Sequence, residues 1–423
     1  MVQLDNKSAF LEKATTWCQQ FQVFTILDSN THTDNYTNYD CIIAADYIEI
    51  LEADYQQAFP SLSHFIEKHA HQWLFGGLGY DLKNAVEKLE SNNMDKLGFP
   101  DCFFFAPKHI LLLKGDGLEI VSPVANLYQE IINYTSERET APQNIQDIQQ
   151  RLTKEEYIRQ VNSIREHIRI GDIYETNFCV EFYAENASLA PATVFKRLNE
   201  SSSAPFASFM RWFDKYIICA SPERFIAKRG NKLISQPIKG TSKRGKNEIE
   251  DQQLKEALYH HPKERQENVM IVDLVRNDLS KIAKAGSVRV EELFGIYSFK
   301  QVHQMISTVV CEVGPQLPFV EIIKNTFPMG SMTGAPKIKA LELMERYEKT
   351  KRGIYSGTIG YLDPQGNFDF NVVIRTILYN TNTQYLSFHA GSAITYHADA
   401  EKEYEECLLK IKALVKAVNG RLT

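Results

Sequence analysis

An α+β fold, with large antiparallel sheets and helices packed outside them, is what this sequence predicts, on three observations. Period-two alternation recurs in runs separated by short turns. Amphipathic helical stretches interrupt these runs at about 263–283, 336–349 and 400–418. The regular strand-helix-strand alternation of a parallel sheet is absent. With 423 residues, 43% hydrophobic and 24% charged, the chain has the composition of a soluble globular protein of one large or two joined domains. A net charge of −6 argues against general nucleic-acid binding, which needs a broad basic face. The seven cysteines are scattered without a CxxC pair, which suits reduced thiols in a cytoplasm rather than zinc or disulfides. No leader-like apolar segment follows Met1, and no uncharged apolar run is long enough for a membrane span, so a cytoplasmic location is expected.

Residues 1–135 read as an N-terminal region of mixed strands and helices. Apolar runs at Cys41–Ala45 and Ile110–Leu113 suggest strands, Pro60 to His71 a helix, and Gly76-Gly77-Leu78-Gly79 a glycine-rich turn. The polar stretch from Ser136 to Gln150, with Pro142, is the expected linker, bounded at 136–152. Residues 153–423 then form the main region. Thr153 and Glu156 make a capping box for a helix carrying Tyr157, Val161, Ile164 and Ile168 on one face, with Gly171 ending it. Strands are expected through Phe178–Phe182, Phe206–Trp212, Tyr216–Ile226 and Lys232–Ser235. Four more are expected at Lys300–Val313, Gly357–Asp363, Phe368–Tyr379 and Tyr385–Tyr396, with hairpin turns at Asp363–Asn367 and Asn380–Gln384.

The residue that most needs an explanation is Lys239, in Pro237-Ile238-Lys239-Gly240-Thr241. Proline before it and glycine after it suggest a loop at a strand end that exposes the lysine. As a nucleophile it must lose its proton, so its pKa must fall through burial or neighbouring positive charge, for which Lys243, Arg244 and Lys246 are at hand. The competing reading is a solvated basic loop.

Other residues admit both a structural and a chemical reading. Glu267 leads a helical face with Met270, Ile271, Leu274 and Asp278. It is either a salt-bridged helix-start glutamate or a metal ligand. Glu406, four residues before Lys410, either joins a solvated ion pair or faces Glu267 across a Mg²⁺ site. Arg375 shares a strand face with Val373 and Ile377 and needs a carboxylate, internal or on a ligand. His303, alternating with Met305 and Val309, is a core residue unless it faces a site. In Gly330–Lys337, Ser331 or Thr333 could cap a helix whose exposed amides would favour an anion, while the spacing fails that of a nucleotide phosphate loop.

From about residue 150 to 418 the chain resembles the chorismate-utilising enzymes, which include anthranilate, aminodeoxychorismate, isochorismate and salicylate synthases. Six ordered stretches carry the likeness: Gly171–Tyr174, Ser221–Phe225, Pro237–Gly245, Val272–Asp278, Gly330–Lys337 and Glu403–Lys410. The resemblance implies two large antiparallel sheets packed together with helices outside. It implies a Mg²⁺ cofactor on Glu267 and Glu406, with Lys239, Glu223 and His303 as catalytic residues. It assigns substrate contacts to Thr241, Ser331, Thr333, Tyr355, Arg375, Gly391 and Lys410. Lys239 stands where anthranilate synthases typically have alanine, which draws the likeness toward the aminodeoxychorismate branch. That branch implies chorismate as substrate and ammonia from a separate glutaminase subunit. Anthranilate formation is the nearest rival, and a non-catalytic protein retaining the fold is a reading of another class. Two departures stand out. Glu175 replaces the glutamine of many relatives and the water-activating lysine of isochorismate and salicylate synthases. Gly391-Ser392-Ala393 replaces the usual Gly-Ala-Gly.

Overall fold

In a computed structural model, residues 2–135, 145 and 147–423 are described. Most of the expected linker, 136–144 and 146, lies outside them, while Gln149–Gln150 pairs as a short strand with Tyr183 and Phe182.

Two antiparallel layers branch from one long strand, Cys102–Lys114. Through Cys41–Ala53 it leads to Val23–Asp28, Phe206–Trp212, Lys215–Ser221, Thr376–Asn380, Tyr385–Ile394 and Glu175–Ala184. Through Leu74–Leu78 it leads to Thr358–Leu362, Phe368–Asn371, Arg224–Arg229, Lys232–Gln236 and Val302–Glu312. Strands from the first 135 residues thus pair directly with later ones, Val23–Asp28 with Phe206–Trp212 and Leu74–Leu78 with Thr358–Leu362.

The alternation of side chains divides the interior in two. Ile42, Ala44, Met210, Trp212 and Ile217 face a core shared with Phe103, Phe225, Ile226, Val309 and Phe370. Their neighbours Ile43, Ala45, Phe209 and Ile218 point the other way, toward Tyr157, Val161, Val194, Leu198, Ile411 and Leu414 of the covering helices. Because both faces of this layer are covered, the run Cys41–Ala45 is apolar without alternating.

Local signals fixed several elements. Thr153 and Glu156 form the reciprocal capping box of the helix Lys154–Ile170, and Gly171 closes it at φ +91°. The other expected helices lie at Ala58–Lys68, Pro262–Ser280, Lys337–Tyr347 and Ala400–Ala417. Four expectations need correction. The glycine-rich turn is the buried strand Leu74–Leu78, where a Cβ on Gly76 would lie 2.1 Å from the Phe103 carbonyl oxygen; the glycines serve close packing. The strand expected at Tyr216–Ile226 breaks after Ser221 and resumes at Arg224. That expected at Phe368–Tyr379 breaks after Asn371 and resumes at Thr376, so Arg375, at φ +53°, is not on a strand. At both breaks the chain passes from one layer to the other, and the two crossings are bonded to each other. Val372 N–H donates to the Glu223 carbonyl at 3.0 Å, and Ala220 N–H to that of Arg375 at 3.1 Å. The helix Lys337–Tyr347 is capped by neither Ser331 nor Thr333. Its N-cap is Pro336, and the Thr333 hydroxyl turns back to the Met329 and Gly330 carbonyls.

Candidate active site

Lys239 lies within a strand, Ile238–Lys243, rather than in a loop. Ile238 pairs with Ile306 and Thr241 with Gln304, so an extra residue is accommodated at Lys239-Gly240, and this bulge re-aims the lysine out of the ladder. Gly240 has φ +100°, and a Cβ there would crowd Met305 and Glu264 at 3.1 and 3.2 Å. Only glycine suits both the turn and the close helix. Asn268 of that helix donates to the Lys239 carbonyl at 3.4 Å and accepts from Ser307 at 2.6 Å, tying the bulge to the helix Pro262–Ser280.

The half-buried amine is faced by carboxylates. Burial pulls its pKa down, but Glu175, Glu267, Glu406 and Glu223 outweigh this and push it up. The sequence expectation of a depressed pKa is therefore corrected. The nearby cations do not act on the amine: Lys243 and Lys246 are exposed, and Arg244 is held by Asp251 through two bonds of 2.8 and 2.9 Å.

Glu223 sits on the first crossing and is buried. Burial raises its carboxyl to about 7, against the smaller opposing pull of Ser331, Lys239 and the Ile238 backbone. It is thus poised to hold a proton near neutrality and to give it up. Glu223 and Ser331 line one cavity with Pro237, Met329 and Asp278.

The helices Pro262–Ser280 and Ala400–Ala417 bring four glutamates together in two pairs spaced three residues apart, Glu264 with Glu267 and Glu403 with Glu406. Lys263 bridges the helices, 3.6 Å from Glu267 and 3.7 Å from Glu403. Burial raises Glu403 to about 7, helped by Glu406. For Glu406 itself burial is outweighed by Lys410, Lys239 and Lys263, which hold it low. Glu267 Oε1, the oxygen that Lys263 approaches to 3.6 Å, is buried and makes no hydrogen bond among the described residues. A buried carboxylate oxygen that makes no hydrogen bond, with a second carboxylate held low nearby, fits a hard divalent cation. Among the described residues no three metal-binding side chains form a ready-made cage, so such a cation would complete its shell from water and an anionic ligand.

A second group of residues carries positive charge. Arg375, on the second crossing, donates only a long 3.5 Å bond to the Lys410 carbonyl and has no ion pair among the described residues. Lys410 is paired with Glu406 and donates to the Gly391 carbonyl at 2.7 Å. A Cβ on Gly391 would lie 2.7 Å from both Asn177 and Cys179 side chains, which explains glycine there. Tyr355 is buried and stacks on His389 at 5.0 Å.

Not every candidate joins this centre. Thr241 is exposed, and the Thr333 hydroxyl is taken up by backbone carbonyls. His303 is fully buried, with Nδ1 2.9 Å from the Ser298 hydroxyl and Nε2 2.9 Å from Asp251. Through Asp251 it braces Arg244 and the Gly245 N–H at the far end of the lysine strand. Sequence reasoning missed Lys263 and Glu264. The repeated three-residue spacing of Glu264/Glu267 and Glu403/Glu406 was the signal available.

An acidic cluster suited to a divalent cation, an arginine without an ion pair among the described residues, a neutral-range acid and a carboxylate-ringed lysine make a candidate site for a small anionic ligand. Comparison with known proteins gives the class its name. Residues 7–416 match the chorismate binding enzyme family, and the chain belongs to it. It is 35% identical over 362 residues to an anthranilate synthase component I-like protein of Synechocystis sp., covering 82% of this chain and 73% of that protein. It is 32% identical over 360 residues to aminodeoxychorismate synthase component 1 of Bacillus subtilis, covering 81% and 76%. The fold also matches the crystal structure of anthranilate synthase component I from Streptococcus pneumoniae, with a TM-score of 0.78, 23% identity, and coverage of 90% of this chain and 94% of that one.

Proposed function

We propose that the chain converts chorismate and ammonia to 4-amino-4-deoxychorismate, with Lys239 as covalent nucleophile, Glu223 as general acid, and Mg²⁺ held by Glu267 and Glu406. The observation that carries this reading is the bulge that turns Lys239 toward the site, where four glutamates, the buried acid Glu223 among them, face its amine. Alanine at this position would leave space where the amine now stands. Relatives named for aminodeoxychorismate and for anthranilate synthesis both support the shared substrate.

Bound Mg²⁺ would supply the positive charge that holds a substrate carboxylate beside these acidic groups. Arg375, Tyr355 and Lys410 would orient a carboxylate from the other side, the guanidinium through paired bonds. Lys239 attacks carbon 2 of the ring, the double bonds shift, and the carbon 4 hydroxyl leaves as water with the proton of Glu223. Ammonia then adds at carbon 4 and expels the lysine, so one difficult displacement becomes two.

The ammonia would come from a separate glutaminase subunit. All seven cysteines are buried free thiols, and burial pushes Cys102, Cys179, Cys311 and Cys407, for instance, well up, which is the reverse of an activated glutaminase nucleophile. The test is mass and NMR analysis of the product from chorismate, ammonium and Mg²⁺. The 4-amino compound retaining its enolpyruvyl ether is expected; anthranilate would overturn the assignment in favour of its rival.

A further inference from the structure

The strand that carries Lys239 has little to hold it where its register matters most. Among the described residues Ile238–Lys243 pairs along one side only, with Val302–Glu312. Beyond the bulge that ladder is short: Thr241 lies opposite Gln304, Ser242 opposite His303 and Lys243 opposite Val302. Thr241 and Lys243 are exposed, and Gly240 brings no side chain to packing. Short, exposed ladders open and slip at little cost. A slip of one residue here would absorb the extra residue and return Lys239 to the regular alternation of the ladder, away from the direction the bulge gives it.

One carboxylate opposes that slip. Asp251, in the first turn of the helix Glu248–Tyr259, accepts from Arg244 Nε at 2.8 Å, from Arg244 Nη2 at 2.9 Å and from the Gly245 N–H at 2.7 Å, all just past the end of the lysine strand. The same carboxylate accepts from His303 Nε2 at 2.9 Å, and His303 is the residue opposite Ser242 on the partner strand. The imidazole is itself fixed, being fully buried with Nδ1 2.9 Å from the hydroxyl of Ser298, its partner on the next strand, Arg289–Ser298. Asp251 therefore bonds both sides of the ladder at a single offset. Space enforces the same seating, because a Cβ on Gly245 would lie 2.2 Å from the Asp251 nitrogen. Arg244 adds a 2.7 Å bond to the Phe299 carbonyl, in the turn that leads into the partner strand. An exposed ion pair alone would hold little, but here it is joined to a backbone amide and a buried ring.

We infer that Asp251 is a positioning residue of the reaction proposed above: by joining Arg244 and Gly245 to His303 it pins the register at which the bulge turns Lys239 into the site. The inference rests on Lys239 being the nucleophile. Asp251 exchanges no proton in this role, and His303 serves as the fixed end of the clamp.

The test compares the wild-type chain with Asp251→Ala, Asp251→Asn, Arg244→Ala and the double variant Asp251→Ala/Arg244→Ala, using chorismate, saturating ammonium and Mg²⁺. Rates are counted per chorismate-binding site, titrated by calorimetry, so that unfolded chain does not enter them. A misaimed nucleophile should lower kcat of Asp251→Ala by about a hundredfold and leave KM for chorismate within about threefold of wild type. Formation of the Lys239 adduct without ammonia, followed by intact-protein mass spectrometry, should slow in the same proportion. Asp251→Asn keeps an acceptor for the Gly245 N–H and should recover part of the rate. Arg244→Ala leaves the Gly245 and His303 bonds and should lose less, and it should add nothing to Asp251→Ala in the double variant. Hydrogen exchange should quicken in the peptide spanning 238–245 while the helix Pro262–Ser280 keeps its protection. Wild-type kcat per site in Asp251→Ala, or in Asp251→Asn should the alanine variant not fold, would overturn the role of Asp251 alone, provided that the wild type makes the 4-amino product. So would additive losses from Asp251→Ala and Arg244→Ala. A wild type that forms neither a Lys239 adduct nor the amino product would overturn the underlying reading, and this inference with it.

Discussion

Two arginines next to the paired crossings are treated in opposite ways. Arg224, beside Glu223, is fully buried and held at all three nitrogens: it bonds Asp369 at 3.0 and 3.2 Å, Asp34 at 2.5 Å and Gln236, and lies 4.8 Å from the Phe206 ring. Arg375, on the companion crossing, has among the described residues a single 3.5 Å bond to a carbonyl, and burial lowers its pKa despite Tyr355 and Glu406. A buried charge with a partner at every nitrogen is part of the framework; one left open is available to a ligand. The same contrast separates Asp369, which bonds two arginines, from Glu175 and Glu267, whose carboxylates each keep a buried oxygen that makes no hydrogen bond among the described residues. If the distinction holds, changes to the first set should cost stability, and changes to the second should cost turnover.

The largest effect is expected at Lys239. Lys239→Ala should reduce formation of the 4-amino product by about a thousandfold or more, because it removes the nucleophile while leaving the acid and the anion-binding groups in place. Product analysis checks it, and amine or anthranilate formed through carbon 2 would show ammonia entering the vacated space. Wild-type rates from this variant would place Lys239 in the framework. Next comes Glu267→Gln, expected to lose at least about a hundredfold in rate and most Mg²⁺ affinity by calorimetry. Its unfolding free energy should not fall, since the change removes a carboxylate from a crowded acidic cluster. Loss of stability with undiminished Mg²⁺ binding would refute the metal assignment.

The framework side is tested by Asp369→Asn. Arg224 would lose its bidentate partner in a buried position, at a cost of about 3 kcal/mol in urea unfolding. Arg375→Leu is the matched control, with unfolding unchanged within about 1 kcal/mol and KM for chorismate raised. Equal destabilisation by the two changes would erase the distinction between the arginines.

What the sequence made legible were features whose causes are local. The capping box at Thr153 and Glu156, the left-handed Gly171 and the helical face around Glu267 depend on residues within a turn or two. Period two also located most strands, but it runs unbroken through a crossing. Hence Tyr216–Ile226 and Phe368–Tyr379 read as single strands, although each switches layers at the residues that carry Glu223 and Arg375. The Lys239 bulge is invisible for a related reason. It is defined by the register against Val302–Glu312, sixty or so residues away, not by Pro237 or Gly240 alone. Likewise the rise in the Lys239 pKa depends on glutamates from several elements, whereas the cations close in sequence are exposed or paired elsewhere.

The smallest effect expected is the pH response of Glu223. Burial raises its carboxyl from the ordinary range to about 7, so below that pH the free enzyme carries the proton the leaving hydroxyl needs, and above it the proton is lost. The value of kcat/KM, which reports the free enzyme, should therefore fall about tenfold per pH unit on the alkaline side of pH 7, and only a fewfold at pH 7 itself. Stability should carry the same sign. A carboxyl whose folded pKa lies above its unfolded one stabilises the fold fully below the unfolded value near 4.5, and this contribution is lost as pH rises through about 7. Glu403, raised to about 7 in the same way, adds to the slope. Glu223→Gln should remove the alkaline limb of the rate profile together with its share of the stability slope, whereas Glu403→Gln should reduce only the slope. A Glu223→Gln profile that keeps the wild-type alkaline limb would assign the proton to another group and return Glu223, with its neighbour Arg224, to the framework.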